Sequence, residues 1–309
     1  MENYHDNTHK KVNKILIIGA GFVGMASGIG LSYKGHDVTF LDISQKVIDN
    51  LRKQGFKAYM VEELPEDSYD FIFICLPTPY DYKKREQDMS IVMSSVNLLA
   101  KLLINNPIIA LKSTVLPGTS RKLINRLEEI TNKKDGRDFY FCTNPEFLRA
   151  RSAIEDFLHP WIVVIGSDNI KGACKLAELY KDFINEEKIY YVNLEEAEFV
   201  KYTHNIFNAM KISFTNQIWL IARELGLDGN KIMSIVAESA EGSWNKRYGI
   251  RGGMPYGGLC LPKDTKGFLA WLKKNEIDAP LIASIDMIND MLEEMTSNYS
   301  IISKDRVDR

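Results

Sequence analysis

Apolar and polar positions along the chain fall into two textures. Up to about residue 192, short runs of consecutive apolar residues alternate with segments in which apolar residues recur every three or four positions. The runs are KILIIGA (14–20), DVTFLDIS (37–44), YDFIFICLPTP (69–79), NPIIALKSTV (106–115), FYFCTNPEF (139–147) and WIVVIGS (161–167). A strand without a polar face needs cover on both sides, which helices on a parallel sheet supply. Strands alternating with helical patterns therefore predict an α/β fold with a doubly wound parallel sheet. The first helix should run to about Lys34 and be closed by Gly35.

From about Glu195 the period changes. Phe199, Ile206, Met210, Phe214, Ile218, Ile221 and Leu225 recur at helical spacing until Gly226, which predicts one helix of roughly thirty residues. A second helix is expected around 228–240, then a glycine-rich loop (249–262), then helix to the end. The expected organisation is a polar arm (1–13), an α/β domain (14–192) and a helical domain (193–309). The long helix reads as a domain connector or a dimer face.

Composition narrows the class. With 45% apolar and 26% charged residues the chain is an ordinary globular protein, and a net charge of -2 gives no support to a nucleic-acid or acidic-membrane partner. No run of 18 apolar residues predicts a membrane span, and the N-terminus lacks the apolar stretch of a secretion signal. Cys75, Cys142, Cys174 and Cys260 are scattered without C-x-x-C spacing, and the five histidines are dispersed. That argues against a disulfide framework or a metal site and fits a reducing cytoplasm.

Two places carry candidate chemistry. In GAGFVG, Gly19, Gly21 and Gly24 have G-x-G-x-x-G spacing between a strand and a helix, with Phe22 and Val23 at the helix start. Such a turn brings a pyrophosphate onto the helix N-terminus. Asp42, ending the second strand, is placed to hold a ribose diol and would repel a 2′-phosphate, so the expected cofactor is NAD. The other place is PYGGLCLPKDT (255–265), where Cys260 could be inert packing, a metal ligand or a nucleophile. Lys201 and Asn205, one turn apart, share a helix face; as an isolated pair they could equally be a solvated edge.

GAGFVG, LPTP (76–79), KSTVLPGT (112–119), NPEFLR (144–149), EAEFVKYTHN (196–205) with KISF, and YGGLCLPKD (256–264), in this order, resemble the UDP-glucose/GDP-mannose dehydrogenases over about residues 14–295. The resemblance implies a Rossmann-type NAD domain, then a helical domain, in a homodimer packed through the long helix. It implies oxidation of a nucleotide-sugar 6-hydroxymethyl group to a carboxylate with two NAD in succession. Hydride loss alone cannot turn an alcohol into an acid. A thiolate that adds to the aldehyde, gives up a second hydride as a thiohemiacetal and is released by hydrolysis of the thioester solves this. By resemblance Cys260 is that nucleophile, Lys201 and Asn205 stabilise the oxyanion, and Glu146 serves acid–base work and hydrolysis. Thr114 and Asp264 position water, and Thr78, Thr114 and Lys263 contact the cofactor. Phe147, Leu148, Arg149, Arg247, Tyr256 and Gly257 join Glu146, Lys201 and Asn205 around the substrate, and no metal is implied.

Three departures bear on substrate. Family members continue into a further nucleotide-type α/β domain, about 100–150 residues by ordinary domain size. This chain ends about where the linker to it would begin, which would suit a truncated chain, a wall supplied by a partner, or a smaller substrate. Ala150 and Arg151 follow NPEFLR where a glutamate is usual. The segment before Cys260 is shortened, and Pro255 stands where glycine is common. Two other readings stay open. A two-electron hydroxyacid dehydrogenase would share the cofactor fold and the Lys201/Asn205 pair but needs no cysteine. A non-catalytic NAD-binding relic would have no need of all these groups together.

Overall fold

A run such as KILII is apolar at every position, and alternate residues point to opposite faces of a strand. The computed structural model, which describes residues 11–304 and side chains as far as 297, shows where each face goes. Ile15 and Ile17 enter one core, with Phe40, Phe71 and Phe73; Leu16 and Ile18 enter a second on the opposite face, with Ile72 and Ile74. Each fully buried side chain of this kind contributes about 1.5–3 kcal/mol.

The strands are β1 (Lys14–Ile18), β2 (Asp37–Leu41), β3 (Lys57–Tyr59), β4 (Phe71–Ile74), the two short strands β5 (Tyr80–Asp81) and β6 (Glu86–Gln87), then β7 (Ile108–Leu111), β8 (Tyr140–Thr143), β9 (Val163–Gly166) and β10 (Ile189–Val192). Eight form one sheet in the order β10-β9-β8-β7-β4-β1-β2-β3, and β5 pairs β6 as a separate antiparallel hairpin. From β3 to β8 every pairing is parallel, with Ile15 between Val38 and Phe71. This is the doubly wound sheet expected from the sequence, with the order reversing between β1 and β4.

The helices are α1 (Phe22–Tyr33), α2 (Gln45–Lys53), α3 (Ser90–Ser94), α4 (Val96–Leu102), α5 (Thr119–Thr131), α6 (Ala153–Leu158), α7 (Ile170–Glu178), α8 (Leu194–Glu224), α9 (Gly229–Ser239), α10 (Glu241–Trp244), α11 (Leu261–Lys274) and α12 (Pro280–Lys304). Helix α1 ends as expected, with Lys34 as cap and Gly35 at φ 87°. Helix α8 ends before Gly226, whose φ of 69° suits a residue without Cβ. Asn193 opens it: its side chain accepts from Glu196 N at 2.7 Å, and the Glu196 carboxylate accepts from Asn193 N at 3.0 Å. This reciprocal capping box fixes where the helix starts.

Two expectations change. The sixth expected strand, β9, pairs antiparallel with β8, and β10 runs parallel to β9, so the last two strands oppose the main sheet. An apolar run of four residues reports burial, not direction. The strands are also shorter than the runs suggested, because LPTP, KSTV and NPEF follow the strands as loops.

The chain divides into two compact units between His204 and Asn205, inside α8. The second is helical, with a small core of Ile221, Leu272 and Ile282. Gln217 anchors α12 there by accepting from Ile282 N at 3.0 Å. No described helix is long and apolar enough to cross a membrane.

Candidate active site

Where the sheet order reverses, the loops after β1, β4 and β7 open a cleft of about 760 Å³. Gly19, Gly21, Phe22, Val23, Asp42, Thr78, Thr114 and Glu146, all expected at the site, line it. Gly24 lies just behind, buried. Each glycine has its own reason. A Cβ on Gly19, which sits at φ 89°, would lie 2.6 Å from the Cys75 carbonyl oxygen, and one on Gly24 only 1.9 Å from that of Gly19. At Gly21, the cap residue of α1, a Cβ would meet nothing within 4 Å, so the space in front of the helix is open. Asp42 accepts from Ala20 N at 2.7 Å and Ser44 N at 2.8 Å, one amide on each oxygen. A carboxylate has about four acceptor positions, so both oxygens keep capacity for a diol. Uncapped helix amides, open space at Gly21 and a fixed carboxylate on the second strand fit NAD.

At the other end of the cleft the loop after β8 meets α8. Lys201 Nζ lies 2.9 Å from Glu146 Oε1, with side chains only 7% and 13% exposed. A buried pair at this separation interacts far more strongly than a surface one. The second Glu146 oxygen accepts from Leu148 N at 2.5 Å, which turns the loop back on itself. The Phe147 ring lies 5.5 Å from the Lys201 ammonium and packs edge-on against His204. Partial desolvation, and then the Lys201 charge, lower the His204 imidazole from its ordinary value. Arg149 points elsewhere, pairing with Asp156 at 2.7 Å and covering the Trp161 ring. Asn205, one turn beyond Lys201, is exposed.

Several groups here were not singled out from the sequence. Lys112, 4% exposed, donates from Nζ to the Asn144 side-chain oxygen (3.1 Å), the Asn144 carbonyl (3.3 Å) and the Tyr180 hydroxyl (3.3 Å). Burial pulls it down to about 8. Its signal was a lysine continuing the apolar run IIAL. Glu198, 2% exposed, accepts from Gly118 N at 2.5 Å and Ser120 N at 2.7 Å, tying α8 to the start of α5. Cys75 lines the cleft, but burial pushes its thiol up to about 12, which leaves it protonated.

The remaining expected residues belong to the second unit. Cys260 is exposed and stands immediately before α11, whose second residue is Pro262. Lys263 and Asp264 follow in the first turn, paired with each other and both exposed. Tyr256 N donates to the Asn289 side chain at 2.7 Å, which anchors the loop to α12; Gly257 beside it is exposed. Arg247 is exposed, its N–H bonded to Asn245 Oδ1 at 3.0 Å. No cluster of three or more metal-ligating side chains occurs among the described residues.

Comparison with known proteins agrees with this geometry. The UDP-glucose/GDP-mannose dehydrogenase family, NAD binding domain, matches residues 13–67 and 61–184, and the central domain of the same family matches 195–291. GDP-mannose 6-dehydrogenase of Pseudomonas aeruginosa is 32% identical over 301 residues, covering 88% of this chain and 67% of that protein. UDP-glucose 6-dehydrogenase of Rickettsia prowazekii is 30% identical over 302 residues, with 90% and 67% covered. The chain thus spans about two thirds of the length of these relatives. A solved ternary complex of GDP-mannose dehydrogenase from Pseudomonas aeruginosa superimposes with a TM-score of 0.80 at 28% identity, over 94% of this chain and 71% of that one. The chain belongs to the UDP-glucose/GDP-mannose dehydrogenase family, which makes it an NAD-dependent dehydrogenase.

Proposed function

We propose that the protein oxidises the primary alcohol of a nucleotide sugar to the carboxylate in two successive steps, through a thioester on Cys260. The observation that carries the reading is the Lys201–Glu146 pair, buried together with Glu146 on the wall of the cofactor cleft. An ammonium in that setting stabilises negative charge on a substrate oxygen, while the carboxylate takes and returns protons. NAD bound between Gly19, Gly21 and Asp42 supplies the hydride acceptor.

The chain's own groups then account for the rest. The alcohol gives up its hydroxyl proton and a hydride from carbon, leaving an aldehyde. The Cys260 thiolate adds to that carbon, and Lys201 with Asn205 holds the resulting oxyanion. Loss of a second hydride converts the thiohemiacetal to a thioester. Water held by Thr114 and Asp264, with Glu146 as base, cleaves the carbon–sulfur bond to release the acid and the thiol. Thr78 and Lys263 belong with the cofactor in this scheme; Phe147, Leu148, Arg247, Tyr256 and Gly257 belong with the substrate, while Arg149, held by Asp156, braces the loop that carries Phe147 and Leu148. Cys260 is the exposed cysteine within the matched central domain, which supports its role as nucleophile.

The same reading includes a cytoplasmic homodimer built on α8, where Ile206, Phe207 and Ile212 remain about 60% exposed. NADH formed per nucleotide sugar consumed tests the chemistry, with GDP-mannose and UDP-glucose as first substrates. Two NADH per acid formed, with no acid from Cys260→Ser, is the expected result. One NADH per turnover with no effect of the substitution would replace it with a two-electron dehydrogenase. NADH binding without turnover of any nucleotide sugar would leave a binding protein.

A further inference from the structure

One hydrogen-bonded chain joins the cofactor cleft to the helix that carries Lys201, and it passes through a residue to which the chemistry above assigns no part. Gln87 lies at the end of the β5–β6 hairpin. Its amide nitrogen donates to the Thr78 carbonyl at 3.1 Å and the Thr78 hydroxyl at 3.2 Å. Its amide oxygen accepts from the Tyr202 hydroxyl. The Thr78 hydroxyl in turn donates to the Thr114 carbonyl at 2.7 Å. Thr78 and Thr114 both line the cleft, and Tyr202 follows Lys201 in α8.

We propose that Gln87 is a positioning residue: through one planar amide it sets the Thr78–Thr114 wall of the cofactor cleft and locks that wall to α8 beside Lys201. The inference rests on the roles proposed above for Lys201 and Glu146. An amide both donates and accepts, so it can satisfy Thr78 and Tyr202 at once; a carboxylate or an apolar side chain cannot. The arrangement also decides what Thr78 offers a ligand. A hydroxyl has one proton and two lone pairs. The proton goes to Thr114 and one lone pair receives Gln87, so toward the cleft Thr78 can only accept. Burial holds the Tyr202 hydroxyl protonated, which keeps it a donor to Gln87.

Two readouts on the full chain separate this role from simple support of the fold. NADH affinity comes from fluorescence titration without substrate; kcat comes from turnover. Gln87→Met removes both ends of the link, and NADH affinity and kcat should each fall ~5–10-fold, the worth of one or two lost hydrogen bonds. Tyr202→Phe breaks only the α8 end, so kcat should fall while NADH affinity stays within about twofold. Gln87→Glu keeps the acceptor for Tyr202 but loses the donor to Thr78, so its larger loss should be in NADH affinity. NADH affinity unchanged in Gln87→Met overturns the proposal, as does a Tyr202→Phe variant that weakens NADH and kcat alike. The titration needs no turnover, so it decides the cleft end of the link even if no nucleotide sugar proves to be a substrate.

Discussion

Single atoms decide what can be changed in the cofactor turn. A methyl at Gly24 would meet the Gly19 carbonyl at 1.9 Å, and backbone cannot step aside as a side chain can. Gly24→Ala should therefore cost ~3 kcal/mol in urea unfolding and abolish NADH binding. Gly21 has an ordinary φ of -73° and open space around its Cα. Gly21→Ala should leave stability within about 1 kcal/mol of wild type, since alanine also restrains the unfolded chain. Its methyl would still occupy the space in front of the helix, so NADH affinity should drop about tenfold or more. A melt that destabilises both variants equally would count against this division of labour. The G-x-G-x-x-G spacing made these roles legible without a structure, because each rests on local backbone geometry. Lys112 was not legible. Its partners Asn144 and Tyr180 are 32 and 68 residues away, and only the fold brings them together.

Between elements, the telling contact is α8 against the start of α5. Glu198 accepts two of the amides that a helix N-terminus leaves unpaired. Glu198→Ala should lose about 1–2 kcal/mol in chemical denaturation, and Glu198→Gln should recover part of it through its remaining acceptor oxygen. If the alanine variant unfolds at the wild-type urea concentration, the contact has no role in holding α8. The main strands were readable because a two-sided apolar run has few other homes. Strands β3, three residues, and β10, with Tyr190 and Tyr191 exposed at the sheet edge, lack that pattern. Strand direction left no mark either: VVIG would look the same pointing either way.

For the molecule as a whole, stability should answer to pH through the ammonium kept inside it. Lys112 binds its proton less readily when folded than when unfolded, its value falling to about 8 from 10.5. Below about pH 8 both states are charged and the cost of burial is fully present. As pH rises from 8 toward 10.5 the unfolded chain keeps a proton that the folded one has released, and folding gains. Lys112→Met lacks this dependence, so wild type should gain on the variant between about pH 7 and pH 9.5 in urea unfolding. A constant difference would mean that the lysine stays charged throughout. The reversal of β9 and β10 has an effect of its own on the site. Running against β8, β9 ends level with Thr143, the last residue of β8, and β10 ends level with Gly166 of β9. Helix α8 therefore starts beside the end of β8, with Leu194 and Ala197 packed on Gly166. Two turns later it delivers Lys201 to Glu146. The level at which two edge strands stop thus sets which turn of a thirty-one-residue helix meets the loop after β8.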